Sequence, residues 1–293
     1  MAILNKNDIY SAVFTTYNDR WEPDTGKFRS LLKFEMDHGV EGFYCCGSTG
    51  EGLLLDTAER KKIAEAAAEE TSGRFPFIVH TGALSTRTAI ELSSHAKSCG
   101  AAAVSLIPPV YYQYTPDEIE QYYRDVTEAV DIGVIVYNIP HLTGISFSKK
   151  NAFLNDDRIL GMKHTSMNLY DLERLRQAFP GKILFNGFDE VFLYGLAAGA
   201  DSAIGTFVNT CPKLFKAIQT EFFKNNISRA RELQTVLNDF IEAVVPHGVI
   251  PAAKYSLTLQ GIDTGSARKP FTPLNEEAKR QIEAALEKIR PWL

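Results

Sequence analysis

Four sets of residues in this chain have the types and spacing to do chemistry. The first is Lys163, inside Leu160-Gly161-Met162-Lys163-His164-Thr165. An ammonium in an apolar strand loses its hydration, so burial favours the free amine, which attacks carbonyl carbon to form a Schiff base. The plainer alternative is a core lysine paired to a carboxylate or reaching out to water. The second is Tyr137, in Val136-Tyr137-Asn138-Ile139-Pro140, a phenol that could relay a proton or simply fill the top of a core. The third is Gly47-Ser48-Thr49-Gly50-Glu51-Gly52. Its glycines let backbone N–H groups turn toward a ligand, and Ser48 and Thr49 add hydroxyls. That suits a carboxylate or phosphate, and it also suits an ordinary strand-to-helix turn. The fourth is Gly187-Phe188-Asp189-Glu190. Paired carboxylates accept hydrogen bonds from a polyhydroxylated ligand, or Asp189 caps the helix that follows.

Other chemistries have little support. The six histidines show no H-x-x-x-H spacing, and no His/Cys cluster suits a metal. There is no G-x-S-x-G elbow, no P-loop lysine and no dinucleotide fingerprint after the first strand. Lys and Arg number 31 against 36 Asp and Glu, a net charge of −5, which disfavours a nucleic-acid or acidic-membrane partner. No uncharged apolar run reaches the roughly 18 residues of a membrane helix. Residues Met1 to Tyr10 carry Lys6 and Asp8 and no apolar run, so no secretory leader is read there. Cys45, Cys46, Cys99 and Cys211 make no C-x-x-C pair and are expected as reduced thiols of a cytoplasmic protein.

The elements that position these groups alternate regularly. Short apolar, β-branched runs predict strands at Ser11–Thr16, Gly42–Gly47, Phe75–Thr81, Ala102–Ile107, Gly133–Asn138, Leu160–His164, Ile183–Asn186 and Ser202–Gly205. Several are apolar on both faces, as in a buried parallel sheet. Helix starts are readable between them. Thr115-Pro116-Asp117-Glu118 is a capping box with proline at the first helical position, and Asp56 to Glu59 begins another helix. Eight such units predict an α/β fold, a closed (β/α)₈ barrel over residues 1–225. Helical stretches near Lys213–Lys224, Ser228–Val245 and Asn275–Ile289 exceed what the last unit needs. They predict a helical appendage over 226–293, packed on the barrel. In such a barrel Tyr137 and Lys163 end neighbouring strands, roughly 4.8 Å apart, within reach of one substrate.

Taken together, the Gly47–Glu51 loop, Tyr137-Asn138-Ile139-Pro140 and Gly161-Met162-Lys163-His164-Thr165 resemble the pyruvate-dependent class I aldolases. That family holds the N-acetylneuraminate lyases and the dihydrodipicolinate synthases. The resemblance runs from Tyr10 to Lys269-Pro270-Phe271. It implies that Lys163 is the Schiff-base lysine, that Tyr137 moves protons, and that Ser48 and Thr49 hold the pyruvate carboxylate. It implies that Tyr111 reaches an adjacent subunit's site and with Ser48 completes the proton relay and holds Tyr137, that the assembly is a homotetramer, and that the covalent imine needs no cofactor or metal. The synthases carry an arginine two residues after the proline of Tyr-Asn-x-Pro, where this chain has Leu142. The sialic-acid lyases are the more similar branch, with Tyr-Asn-Ile-Pro-x-Leu and Gly-x-Asp-Glu. On that likeness Gly187, Asp189, Glu190, Thr165 and Thr206 contact the sugar tail, and the reaction is reversible cleavage of N-acetylneuraminate into pyruvate and N-acetylmannosamine; the alternatives are an aldolase for another 2-keto-3-deoxy sugar acid, then a dihydrodipicolinate synthase, then a non-catalytic keto-acid sensor.

Overall fold

The computed structural model describes residues 3–293. Its eight strands are β1 (Tyr10–Ala12), β2 (Gly42–Cys45), β3 (Phe77–His80), β4 (Ala103–Leu106), β5 (Val134–Asn138), β6 (Ile159–His164), β7 (Ile183–Asn186) and β8 (Ser202–Gly205). Each pairs in parallel with the next, and β8 pairs with β1, which closes the barrel expected from the sequence. The helices between them are α1 (Thr25–Asp37), α2 (Thr57–Thr71), α3 (Thr86–Ser98), α4 (Pro116–Ala129), α5 (Pro140–Thr143), α6 (Leu169–Ala178), α7 (Phe192–Ala197) and α8 (Pro212–Phe223). Both predicted capping boxes form, at Asp56 for α2 and at Thr115 for α4.

Alternation along the strands splits the core in two. Tyr10, Tyr44, Ile78, Ile135, Tyr137, Phe185 and Ile204 fill the barrel interior. Val13, Phe43, Cys45, Val79, Val104, Val136, Met162 and Leu184 face outward against the helices. A side-chain period of two explains the division. Leu160 is the extra residue of a bulge in β6, because Val134 pairs with Ile159 and Ile135 with Gly161. The bulge puts Gly161 and Lys163 on the inward-facing parity of Ile135 and Tyr137.

Beyond the barrel lie α9 (Ile227–Val244), α10 (Val249–Leu259) and α11 (Glu276–Lys288). Leu237, Phe240, Ala253 and Ile282 join the same core as the barrel helices. Strands β2 and β3 are shorter than Gly42–Gly47 and Phe75–Thr81, and two larger differences concern β1 and α10. The first strand is shorter than Ser11–Thr16, ending at Ala12, although Val13 N–H still donates to the Tyr44 carbonyl at 3.0 Å. Helix α10 was not read at all. Its run Val-Ile-Pro-Ala-Ala-Lys-Tyr-Ser-Leu is apolar almost all round, so it shows no amphipathic period, and Pro251 in its first turn looks like a breaker.

Candidate active site

Strand register brings the amine and the phenol together. Tyr137 on β5 and Lys163 on β6 are direct partners across the sheet. Lys163 is only 4% exposed, and its Nζ lies 4.4 Å from the Tyr137 ring centroid and 4.5 Å from that of Tyr44. Tyr44 meets Tyr137 edge-on at 5.9 Å, and its hydroxyl donates to Ser105 Oγ at 3.0 Å. His80 also meets Tyr137 edge-on at 6.0 Å. Burial pushes the His80 imidazole well below its ordinary range, and the Arg60 and Lys163 charges push the same way. His80 is therefore neutral under the site.

The loop after β2 closes over this cluster. Ser48 Oγ lies 3.4 Å from the Tyr137 hydroxyl, and Thr49 Oγ1 lies 2.6 Å from Thr206 Oγ1 after β8. Two non-glycine residues in the loop, Cys46 and Glu51, adopt left-handed conformations with φ of 58° and 55°. Strained residues of this kind persist where the surroundings over-determine them. The Glu51 and Gly52 N–H groups are spent inside the turn, on the Ser48 and Gly47 carbonyls at 3.0 Å each. Among the described residues the Ser48 and Thr49 N–H groups have no acceptor, so they are free to meet an anion.

The ends of β6, β7 and β8 supply the other wall. Asp189 does not cap a helix. Its Oδ2 accepts from the Phe207 N–H at 2.8 Å, and Oδ1 is buried with no partner. Burial pushes its carboxyl up to about 7, against the pull of that N–H. Thr165 Oγ1 is a second buried oxygen without a partner. Gly187 packs on it, since a Cβ there would sit 1.9 Å from Thr165 Oγ1. Glu190 is half-buried at the same turn. The His141 ring on α5 and the Phe188 ring after β7 meet at 5.1 Å. Tyr111 stands apart from the cluster, 87% exposed at φ 83° and touching the Tyr112 ring. Leu142, on α5, is also exposed.

Residues 5–289 match the model of the dihydrodipicolinate synthetase family. The chain belongs to that family. It is 35% identical over 285 residues to an N-acetylneuraminate lyase of Rhizobium meliloti (strain 1021), covering 97% of this chain and 95% of that one. It is 31% identical to an N-acetylneuraminate lyase of Lactiplantibacillus plantarum, covering 97% and 99%. Among solved structures it is similar to CdNal of Clostridium difficile in complex with mannosamine, at TM-score 0.94 and 32% identity, covering 99% of this chain and all of that one.

Within this family member, Tyr44 of the site and the Glu51–Lys254 contact behind its loop are not marked by the sequence. Tyr44 is hidden because a strand buried on both faces does not reveal which parity points inward. Lys254 carries the same signal that marked Lys163, a lone lysine in an apolar run, but it sits in the unread helix α10. A cavity of about 520 Å³ lies between the turn after β1 and the C-terminal region, lined in part by Trp21, Lys254, Tyr255 and Phe271. None of the Lys163 cluster lines it. The barrel mouth remains the candidate site, because the amine, the phenol and the hydroxyls converge there. No three His, Cys, Asp or Glu side chains among the described residues converge as a metal site would require, and no helix among them is long and apolar enough to cross a membrane.

Proposed function

We propose that this chain is a Schiff-base aldolase that cleaves N-acetylneuraminate reversibly into pyruvate and N-acetylmannosamine. The observation that carries the reading is the Lys163 amine, buried between two tyrosine rings with the Tyr137 hydroxyl turned toward Ser48. Relatives named N-acetylneuraminate lyase and a neighbour crystallised with mannosamine support the substrate. Lys163 attacks the C2 ketone of the open-chain acid, and loss of water leaves a protonated imine. Tyr137, assisted by the substrate carboxylate, takes the C4 hydroxyl proton, the C3–C4 bond breaks, and its electrons flow into the imine. The sugar aldehyde leaves. The enamine takes a proton at C3 and is hydrolysed, releasing pyruvate and the amine. The imine is the electron sink, so the reading calls for no metal or organic cofactor.

Ser48 and Thr49, with their free N–H groups, would hold the substrate carboxylate. Asp189, Glu190, Thr165, Thr206 and the Gly187 turn would meet the hydroxylated tail, where two buried oxygens lack partners. Tyr111 is read as completing the site of a second copy, in a cytoplasmic homotetramer. The test is pyruvate release from N-acetylneuraminate, with borohydride trapping of the pyruvate imine beside it. Lys163→Ala should lose turnover by roughly three orders of magnitude or more and trap nothing. Tyr137→Phe should still trap pyruvate while turnover falls by roughly 10²-fold or more. Substantial turnover by Lys163→Ala sinks the mechanism. Preferential cleavage of a different 2-keto-3-deoxy sugar acid keeps the chemistry and rejects the substrate.

A further inference from the structure

The Gly47–Gly52 loop is gripped from outside the barrel. Glu51 and Lys254 are 3% and 2% exposed, and their Oε1 and Nζ atoms lie 2.8 Å apart. The contact is one of charge more than of aligned hydrogen bonding, since Oε1 has no well-directed donor. Lys254 Nζ donates to the Thr15 carbonyl at 2.8 Å and lies 4.5 Å from the Tyr17 ring centroid. The other Glu51 oxygen, Oε2, accepts the Arg268 backbone N–H at 2.7 Å. The Arg268 guanidinium runs on to the far end of the loop, donating to the Leu54 carbonyl at 2.8 Å and to both Glu59 oxygens at 2.6 and 2.8 Å. Thr15 Oγ1 donates to the Gly50 carbonyl at 2.6 Å.

A buried ion pair is a poor stabiliser, since an apolar pair of the same shape often serves as well. What this pair does provide is position. Glu51 is one of the loop's two left-handed non-glycine residues, and its N–H closes the turn on the Ser48 carbonyl. Moving the Glu51 carboxylate would rotate the turn that presents the Ser48 and Thr49 N–H groups.

We infer that Glu51 and Lys254, with Arg268, are positioning residues through which the C-terminal helical region sets the carboxylate-binding recess of the barrel. The inference rests on the aldolase reading above. It concerns first the binding of the keto acid that Lys163 attacks.

The experiment measures the condensation of pyruvate with N-acetylmannosamine, together with borohydride trapping of pyruvate. Removing one charge strands the other, so Lys254→Met alone is expected to fold poorly. The double variant Glu51→Gln with Lys254→Met removes both charges. In it, KM for pyruvate should rise about tenfold or more, by more than kcat falls, while KM for the sugar is unchanged. Lys254→Arg, which keeps the charge, should recover part of the pyruvate affinity. An unchanged KM for pyruvate in the folded double variant overturns the inference. So does a proportional loss of kcat with the folded fraction, which is what a merely structural pair would give. A wild-type chain that traps no pyruvate removes the aldolase reading itself, and the inference with it. Wild-type trapping with an equally tight double variant removes only the inference.

Discussion

Asp189 is a buried carboxyl at the barrel mouth that titrates near neutrality. Its carboxyl is pushed up to about 7 by burial, so it is neutral below that pH and ionised above it. Ionisation makes both oxygens charged acceptors, the stronger kind, and Oδ1 is the one with no partner in the protein. If that oxygen receives a hydroxyl of the sugar tail, KM for N-acetylneuraminate should rise as pH falls through about 7. In Asp189→Asn the binding is weaker throughout, and this limb of the profile should vanish. Steady-state kinetics between about pH 5.5 and 8.5 read it directly. An identical limb in both proteins would assign the titration to another group. Thr165 and Gly187 share the fate of this wall, because the hydroxyl of one fills the space a side chain on the other would need.

At the scale of elements, β6 does the positioning. Its bulge at Leu160 sets the parity of Lys163, and Gly161 lets the strand lie close against β7. A Cβ at Gly161 would sit 1.9 Å from the Ile183 carbonyl oxygen. Backbone cannot yield as a flexible side chain does, so Gly161→Ala should cost about 1–3 kcal/mol or more. Thermal unfolding should show a midpoint lower by several degrees, and turnover should fall because Lys163 lies two residues on. Wild-type stability and rate in this variant would mean that the two strands part without strain. Much of this arrangement is legible in the sequence. Lys163, Tyr137, Ser48 and Thr49 stand at or just beyond strand ends, where a barrel gathers its polar groups, so order along the chain is nearly enough to place them. Tyr44 is not legible, because Gly42–Cys45 is buried on both sides and either parity could face in. The Glu51–Lys254 contact is not legible either. It depends on a helix with no polar stripe meeting a loop 203 positions earlier in the chain, as the numbering of the pair shows.

For the molecule as a whole, two features bear on stability and assembly. Glu35 faces inward from α1, fully buried beside Ser11, with no hydrogen bond to either oxygen. Burial raises its carboxyl to about 8. A raised acid holds its proton in the folded state after the unfolded chain has lost it. Its contribution is therefore complete below the unfolded value of 4.5 and is lost as pH rises toward about 8. Glu35→Gln should flatten that decline, so that its midpoint exceeds wild type's by more at pH above about 8 than at about 5. Parallel profiles for the two proteins would show that Glu35 is not the titrating group. Tyr111 is exposed and held at positive φ, and the proposal that it serves a second copy can be tested. If it completes a neighbouring site, mixing inactive Tyr111→Ala with inactive Lys163→Ala and allowing subunits to exchange should restore turnover. No recovery in proven hybrids would return Tyr111 to its own chain. The Arg268 N–H and the Glu51 oxygen that accepts it are 217 positions apart. During synthesis, then, the strands bearing the amine and the phenol emerge long before the segment that secures the Gly47–Gly52 loop. A chain that ends before Lys254 would carry the reactive pair without the contacts that grip the Gly47–Gly52 loop.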